Sequence, residues 1–262
     1  MGKRPAHWSA ALTELLSTVG TRGSRDFVQR NSRYVEWRLR HPLRSFTDFY
    51  VAEESKRLDA GMVHPSLGRN RVLFDGYPMV QLLIKAGLQA DHRLVDYGCG
   101  SLRLGRELIA YLAPDRYWGL DVTARFFRDG LQDCPPDLIR EKRPRLALIS
   151  RRVLRELAAS PPDFVIVSGV FHHIPLRQTA QVMRNLARIS GQHTKVYIGF
   201  LASDVFEQVG PYSFRHPPSL LLDLARRAGL GGELLRLTDQ EDLAKPIRTG
   251  LMRLERLSAP LG

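Results

Sequence analysis

Among residues 93 to 121, Gly98 and Gly100 with Asp96 and Asp121 stand at a spacing that could hold a nucleoside. The run RLVDYGCGSLRLGRELIAYLAPDRYWGLD reads as an apolar strand, a Gly-X-Gly turn, an amphipathic helix and a second strand ending in Asp121. Without a Cβ, Gly98 and Gly100 let the chain turn sharply and bring its backbone against a ligand. The start of the following helix supplies N–H groups that have no partner within it. Asp121 lies 21 positions after Gly100, close to the roughly 20-residue offset at which an acid accepts ribose hydroxyls. The bland alternative for this end of the strand is a helix cap at Thr123.

The spacing also bears on which nucleoside cofactor is held. A dinucleotide fingerprint has its third glycine three positions after the second. That position is Arg103, and the next glycine is Gly105. Asp96, just before the turn, would repel a diphosphate but suits an ammonium group. A second stretch, PPDFVIVSGVFHHIP from Pro161 to Pro175, is an apolar, β-branched run bounded by prolines. It fits a strand buried on both faces, and it ends in a polar and aromatic cluster.

VDYGCG resembles motif I of the class I S-adenosylmethionine-dependent methyltransferases, where an acid precedes Gly-X-Gly. The third glycine common in that family is here Leu102. The FHH end of the second stretch resembles the close of the family's fourth strand. QTAQVMRNLARISGQHTKVYIGF resembles the helix, turn and fifth strand that follow, and the resemblance spans residues 90 to 260 or thereabouts.

That resemblance implies S-adenosylmethionine as cofactor. Asp121 would take the ribose and Asp96 the methionine ammonium. Gly98, Cys99, Gly100, Ser101, Arg103 and Val122 would line the turn and its flank, with Ser168 and Gly169 at the end of the fourth strand. Many relatives have an acid after the third strand for the adenine amine. The matching segment here is ISRRVL, which leaves backbone groups or Ser150.

The implied chemistry is direct displacement at a sulfonium methyl, which needs a nucleophile held in line and, for some acceptors, a base. His172 or His173 could be that base, because histidine titrates near neutral pH. Either could instead pack against the cofactor or cap the next helix. No metal is expected, since adjacent histidines rarely share one coordination face and no acidic cluster follows the fourth strand. For the acceptor side, Phe171, Tyr212 and Phe214, with Tyr77 opposite, are the aromatic candidates. The long connection FLASDVFEQVGPYSFRHPPS reads as a lid, as loops of this length often are.

The elements that must position these residues follow from periodicity. Strands are expected at 93–97, 116–120, 145–149, 163–168, 194–200, 232–237 and 248–257, with helices between most of them. Such alternation gives a largely parallel sheet covered on both faces. Too few residues separate the last two strands for a crossover, so they should pair antiparallel. The expectation is an α/β fold: a doubly wound, mostly parallel seven-stranded sheet with an antiparallel last strand, plus an N-terminal helical cap. Residues 1–90 would form the cap and substrate side, and residues 91–262 the S-adenosylmethionine-binding domain. Within the cap, helices are expected around ALTELLSTVG, in RDFVQRNSRYVEWRLRHP, in SFTDFYVAEESKRLDAG and around YPMVQLLIKAG, with a loop at 62–70.

The net charge of +12 divides evenly, +6 on residues 1–93 and +6 on residues 94–262. A basic surface favours acidic partners through long-range steering, but this excess is spread rather than gathered. Its densest part, Arg140 to Arg155, flanks a short strand. The N-terminal stretch MGKRPAHWSAALTELL is broken by Thr13 and Glu14 and lacks a leader's apolar core. The two cysteines do not suggest a disulfide scaffold, so a cytoplasmic setting without membrane attachment is expected. The leading expectation is a metal-independent O-methyltransferase acting on a small molecule. Nucleic acid is a possible partner that is not favoured. An RNA or protein methyltransferase and a non-catalytic scaffold of the same fold are the alternatives.

Overall fold

In the computed structural model, residues 31–60, 77–240 and 247–257 are described. The expected helix at ALTELLSTVG and the loop at 62–70 lie outside them. Helix α1 (Ser32–Arg40) leads into α2 (Phe46–Asp59), which opens on a capping box. The Ser45 hydroxyl accepts from the Asp48 N–H, and the Asp48 carboxylate accepts from the Ser45 N–H, satisfying two orphan donors at once. Arg38 closes the α1–α2 corner by donating to the carbonyls of His41, Pro42 and Arg44. Helix α3 (Tyr77–Lys85) then runs into the sheet.

Strand β1 (Leu94–Tyr97) is followed by α4 (Gly105–Tyr111), β2 (Tyr117–Asp121), α5 (Ala124–Leu131), α6 (Pro136–Lys142), β3 (Arg145–Leu148), α7 (Arg151–Ala159) and β4 (Phe164–Ser168). A 3-10 turn at Phe171–His173, α8 (Leu176–Ile189) and β5 (Lys195–Leu201) come next. The chain ends in β6 (Glu207–Gly210), β7 (Ser213–Arg215), α9 (Pro218–Arg227), β8 (Leu230–Gln240) and β9 (Ile247–Arg256).

The seven-stranded sheet has the order β3-β2-β1-β4-β5-β9-β8. All pairs from β3 to β5 are parallel, and β9 runs antiparallel to both β5 and β8. The expected sheet, with its antiparallel final pair, is therefore present. Leu120, Val95, Val165, Val167 and Ile198 pack under α7, α8 and α9. Leu94, Tyr117, Ile166 and Tyr197 pack under α3, α4, α5 and α6. Each fully enclosed Leu or Ile contributes about 1.5–3 kcal/mol relative to exposure. Because β4 is covered on both faces, Phe164 to Val167 read as a continuous apolar run, while in β1 the apolar run is broken by Asp96.

A third apolar cluster joins the N-terminal helices to the segment after β5. Tyr34, Phe46 and Phe49 pack on Tyr212 and Phe214, with ring centroids 5.1 to 6.4 Å apart. Within that segment, expected as one long connection, β6 and β7 pair as an antiparallel hairpin with a bulge between Gln208 and Gly210. Its apolar side chains anchor on α1 and α2. The Asn31 and Gln208 amides also exchange hydrogen bonds of 3.2 and 2.5 Å. Helix α4 also starts later than expected. Residues 101–104 form irregular turns, and Leu102 sits in the left-handed region at φ 58°.

Candidate functional site

The site lies at the carboxyl edge of the sheet between β1 and β4, where the strand order reverses and ligands bind in open α/β sheets. Gly98 adopts φ 86° and Gly100 φ 51°, which glycine reaches without steric penalty. The N–H groups of Gly98 and Cys99 donate to the Leu120 carbonyl at 2.7 and 3.0 Å. A Cβ on Gly98 would stand 2.1 Å from Val170 Cγ2, so the turn packs directly on the chain leaving β4. A Cβ on Gly130 of α5 would stand 2.1 Å from the Ser101 carbonyl oxygen. The turn is thus gripped by β2, by the residues after β4 and by α5.

Asp121 completes that grip. Its carboxylate accepts from the Gly100 N–H at 2.8 Å, from the Val122 N–H at 2.7 Å and from the Thr123 backbone. Burial pushes its pKa up to about 6 against those three bonds. Thr123 is the N-cap of α5. Asp96 is enclosed on the α4 side of the sheet, at 2% exposure, and accepts from the Tyr117 hydroxyl at 2.8 Å. Burial raises its pKa to about 7; the Tyr117 bond opposes that rise and the Asp121 charge adds to it. Gly105 makes room for this bond, since a Cβ there would meet the Tyr117 hydroxyl at 2.4 Å. Neither carboxylate has an ion-pair partner among the described residues. Two buried acids with no cation among the described residues make a pocket suited to positive charge. The same burial and charges raise the Cys99 thiol well above its ordinary pKa, so it is inert.

The second wall is the end of β4. Gly169 turns at φ 81°, and a Cβ there would lie 3.3 Å from His172 Cε1, which places the His172 ring over it. His173 Nδ1 lies 3.2 Å from the Tyr212 carbonyl oxygen. A carbonyl only accepts, so Nδ1 carries a proton. The His173 ring stacks on Tyr50 of α2 with centroids 5.2 Å apart at 27°. Tyr50 also meets Phe126 and Tyr212 edge-on at 6.1 and 5.7 Å. Burial, with the charges of Glu54 and Asp121, raises the Tyr50 hydroxyl well above its usual pKa. The Tyr212 hydroxyl bonds to the buried Glu54, and burial with that charge pushes it up to about 12. Arg57 lies 3.4 Å from Glu54 and 5.3 Å above the Tyr212 ring.

The structure gathers Asp96, Gly98, Cys99, Gly100, Asp121, Val122, Ser168, Gly169, His172 and His173 around this edge. Ser150 is at the edge too, but its hydroxyl caps α7 by accepting from the Val153 N–H. Ser101 offers its carbonyl to α5, and Arg103 lies partly buried in the following turn, where burial lowers its pKa. Phe171 and Phe214 are fully enclosed and serve as packing. Tyr212 is nearly enclosed between α2 and His173. Tyr77 begins α3, but its side chain is outside the described residues. Sequence reasoning missed Tyr50, Glu54, Val170 and Gly130. Gly130 had a usable signal, a glycine inside the helical run ARFFRDGL, which often marks close packing. Tyr50 and Glu54 had none, since nothing in α2 tells which face meets the sheet edge.

Among the described residues, no group of three or more His, Cys, Asp and Glu is gathered as a metal ion would need, and no helix is long and apolar enough to cross a membrane. No protein-family model matches the chain, and no curated protein matches it. Solved structures do. The magnesium protoporphyrin IX methyltransferase of Synechocystis PCC 6803, with bound SAH, is 16% identical at TM-score 0.53, over 69% of this chain and 81% of that one. A SAM-dependent methyltransferase from Methanosarcina mazei is 12% identical at TM-score 0.53, over 68% and 98%. The glycopeptide N-methyltransferase MtfA, complexed with sinefungin, is 11% identical at TM-score 0.50, over 70% and 94%. At such identity the likeness is one of fold, and the chain has the seven-stranded fold of the class I S-adenosylmethionine-dependent methyltransferases.

Proposed function

We propose that the protein is an enzyme that transfers a methyl group from S-adenosylmethionine to a small-molecule acceptor, without a metal and most simply to oxygen. One observation carries this reading: the glycine turn is tied to Asp121, which with Asp96 makes a pair of buried carboxylates that have no cationic partner among the described residues. The donor set fits a ligand with ribose hydroxyls and positive charge. The neighbours solved with SAH and with sinefungin support the same ligand class.

Bound S-adenosylmethionine would supply a methyl group on a cationic sulfur, activated without a metal. Asp121 would take the ribose hydroxyls, because a carboxylate has about four acceptor positions and backbone donors occupy three of them. Asp96 would act through its charge, as its oxygen is bonded to Tyr117. Backbone groups of Gly98 to Ser101 and of Ser168 and Gly169 would line the cofactor. Val122, 43% exposed, offers an apolar surface for a base. Since Ser150 is engaged as a cap, backbone and apolar contacts carry the adenine. His173 would accept the acceptor's proton at Nε2, with Tyr50 and Tyr212 forming the acceptor side and His172 covering Gly169.

Calorimetry with S-adenosylmethionine and S-adenosylhomocysteine tests the reading. Micromolar binding by the wild type, lost in Asp121→Ala, is expected, followed by labelled methyl transfer to a panel of hydroxylated small molecules. Absence of binding by the wild type overturns it.

A further inference from the structure

The turn that carries His173 is fastened by a histidine that takes no part in the proposed chemistry. His216 lies just past β7 and is fully buried. Its backbone is pinned to the end of β5, where its N–H donates to the Leu201 carbonyl at 2.9 Å and its carbonyl accepts from the Ser203 N–H at 3.2 Å. Its Nε2 is 2.7 Å from the Phe171 carbonyl oxygen. Since that oxygen only accepts, Nε2 bears the proton. The ring also meets Phe171 edge-on at 6.3 Å and Phe206 at 5.1 Å. Burial lowers the His216 pKa to about 4, so the ring stays neutral and its donor does not switch near neutral pH.

The 3-10 turn is therefore held at both ends. His216 grips the carbonyl of its first residue, Phe171, and the Tyr212 carbonyl accepts from its last, His173. Both grips come from the segment that includes the β6–β7 hairpin. A turn of three residues has little freedom left once both ends are bonded.

We propose that His216 is a positioning residue: its Nε2–H bond to the Phe171 carbonyl fixes the turn so that His173 is held as the Nδ1–H tautomer, with its lone pair on Nε2. The proposal rests on the methyl-transfer reading for the role of His173 as base, while the tautomer is a property of the chain alone.

Long-range 1H–15N spectra of the full chain with labelled histidine read both tautomers directly, with assignments from single histidine substitutions. The wild type should show His173 protonated at Nδ1 and His216 at Nε2. His216→Gln places an amide N–H near the Phe171 carbonyl and should keep the His173 tautomer. His216→Leu fills the space without a donor and should turn the Nδ1–H form of His173 from the majority into a minority. If His216→Leu does not fold, His216→Asn replaces it, because its amide falls short of the carbonyl. A wild-type His173 protonated only at Nε2 overturns the proposal, as does an unchanged tautomer in a folded variant that lacks the bond to the Phe171 carbonyl. Calorimetry with S-adenosylmethionine on the same samples separates the two claims. A wild type that binds no cofactor but shows these tautomers overturns the methyl-transfer reading and leaves the positioning role standing.

Discussion

The backbone N–H of Gly100 and the carboxylate of Asp121 are joined by a 2.8 Å hydrogen bond across the mouth of the sheet. One side chain thus shapes the glycine turn and presents the acid that would meet a ribose. The two duties can be separated. Asp121→Asn keeps one acceptor oxygen but sets its NH2 against the Gly100 or the Val122 N–H, so the fold should lose one of these two bonds while S-adenosylmethionine binding falls at least tenfold. Asp121→Ala leaves buried N–H groups unpaired, which costs about 1–3 kcal/mol as well. Thermal unfolding with and without S-adenosylmethionine checks this: the ligand should raise the wild-type midpoint and leave both variants unmoved.

The two buried acids set a pH dependence whose sign is fixed. Their folded pKa values, about 7 for Asp96 and about 6 for Asp121, lie above the unfolded value. Over that window the folded state keeps protons that the unfolded state has released, so the ligand-free protein loses stability as pH rises from about 4 to about 7. A bound cation lowers both pKa values. Cofactor affinity should therefore increase with pH through the same window, and binding should release protons. Calorimetry in two buffers of different ionisation enthalpy counts them. Tyr117→Phe removes the bond that holds Asp96 down and should move the affinity rise to higher pH; a flat profile in both proteins would count against the carboxylates.

Gly130→Ala adds a methyl group 2.1 Å from the Ser101 carbonyl, a backbone atom that cannot swing away. Overpacking of this kind costs about 1–3 kcal/mol, against about 1 kcal/mol regained in helix propensity. Helix α5 should move off the glycine turn. The expected result is a lower melting temperature and a cofactor affinity reduced about tenfold, a larger loss in binding than in stability (1.4 kcal/mol per tenfold,).

Leu102 occupies the position where the resembled family often has glycine, and it keeps the left-handed backbone at φ 58°. Leu102→Gly would relieve about 1–2 kcal/mol of strain. It would also remove a side chain only 1% exposed, a loss of about 2–5 kcal/mol for truncations of this size. Net destabilisation of about 2 kcal/mol is expected, read as a lower denaturation midpoint in urea. A more stable variant would mean that strain outweighs burial at this turn.

Much of the sheet was legible because β1, β4 and β5 are covered on both faces, and a short β-branched run such as FVIV, bounded by Pro162 and Gly169, fits a buried strand better than a helix. The Gly98–Gly100 turn was legible because its backbone leaves few other choices of residue. Other parts were hidden for physical reasons. The β6–β7 hairpin has strands of four and three residues around Gly210-Pro211, too short for an alternating pattern to emerge. Ser150 could be read as a ligand contact or as a cap, since one hydroxyl chemistry serves both. Phe171 and Phe214 could be pocket or core, and only the packing of α8 and α2 decided. Tyr50 stayed invisible because its place at the site depends on how the cap docks, a contact between segments more than a hundred residues apart.

The contacts between Gly98 and Val170, His173 and Tyr212, and His216 and Phe171 also fix when, during synthesis, the pocket first exists. A nascent chain that has emerged only as far as β3 carries the glycine turn and Asp121 but lacks the wall that Val170 provides. One that has passed β4 still lacks the hairpin that orients His173. Ligand that binds only the finished pocket stabilises only finished chains. A chain interrupted before His216 would then gain nothing from the proposed cofactor and stay open to proteolysis.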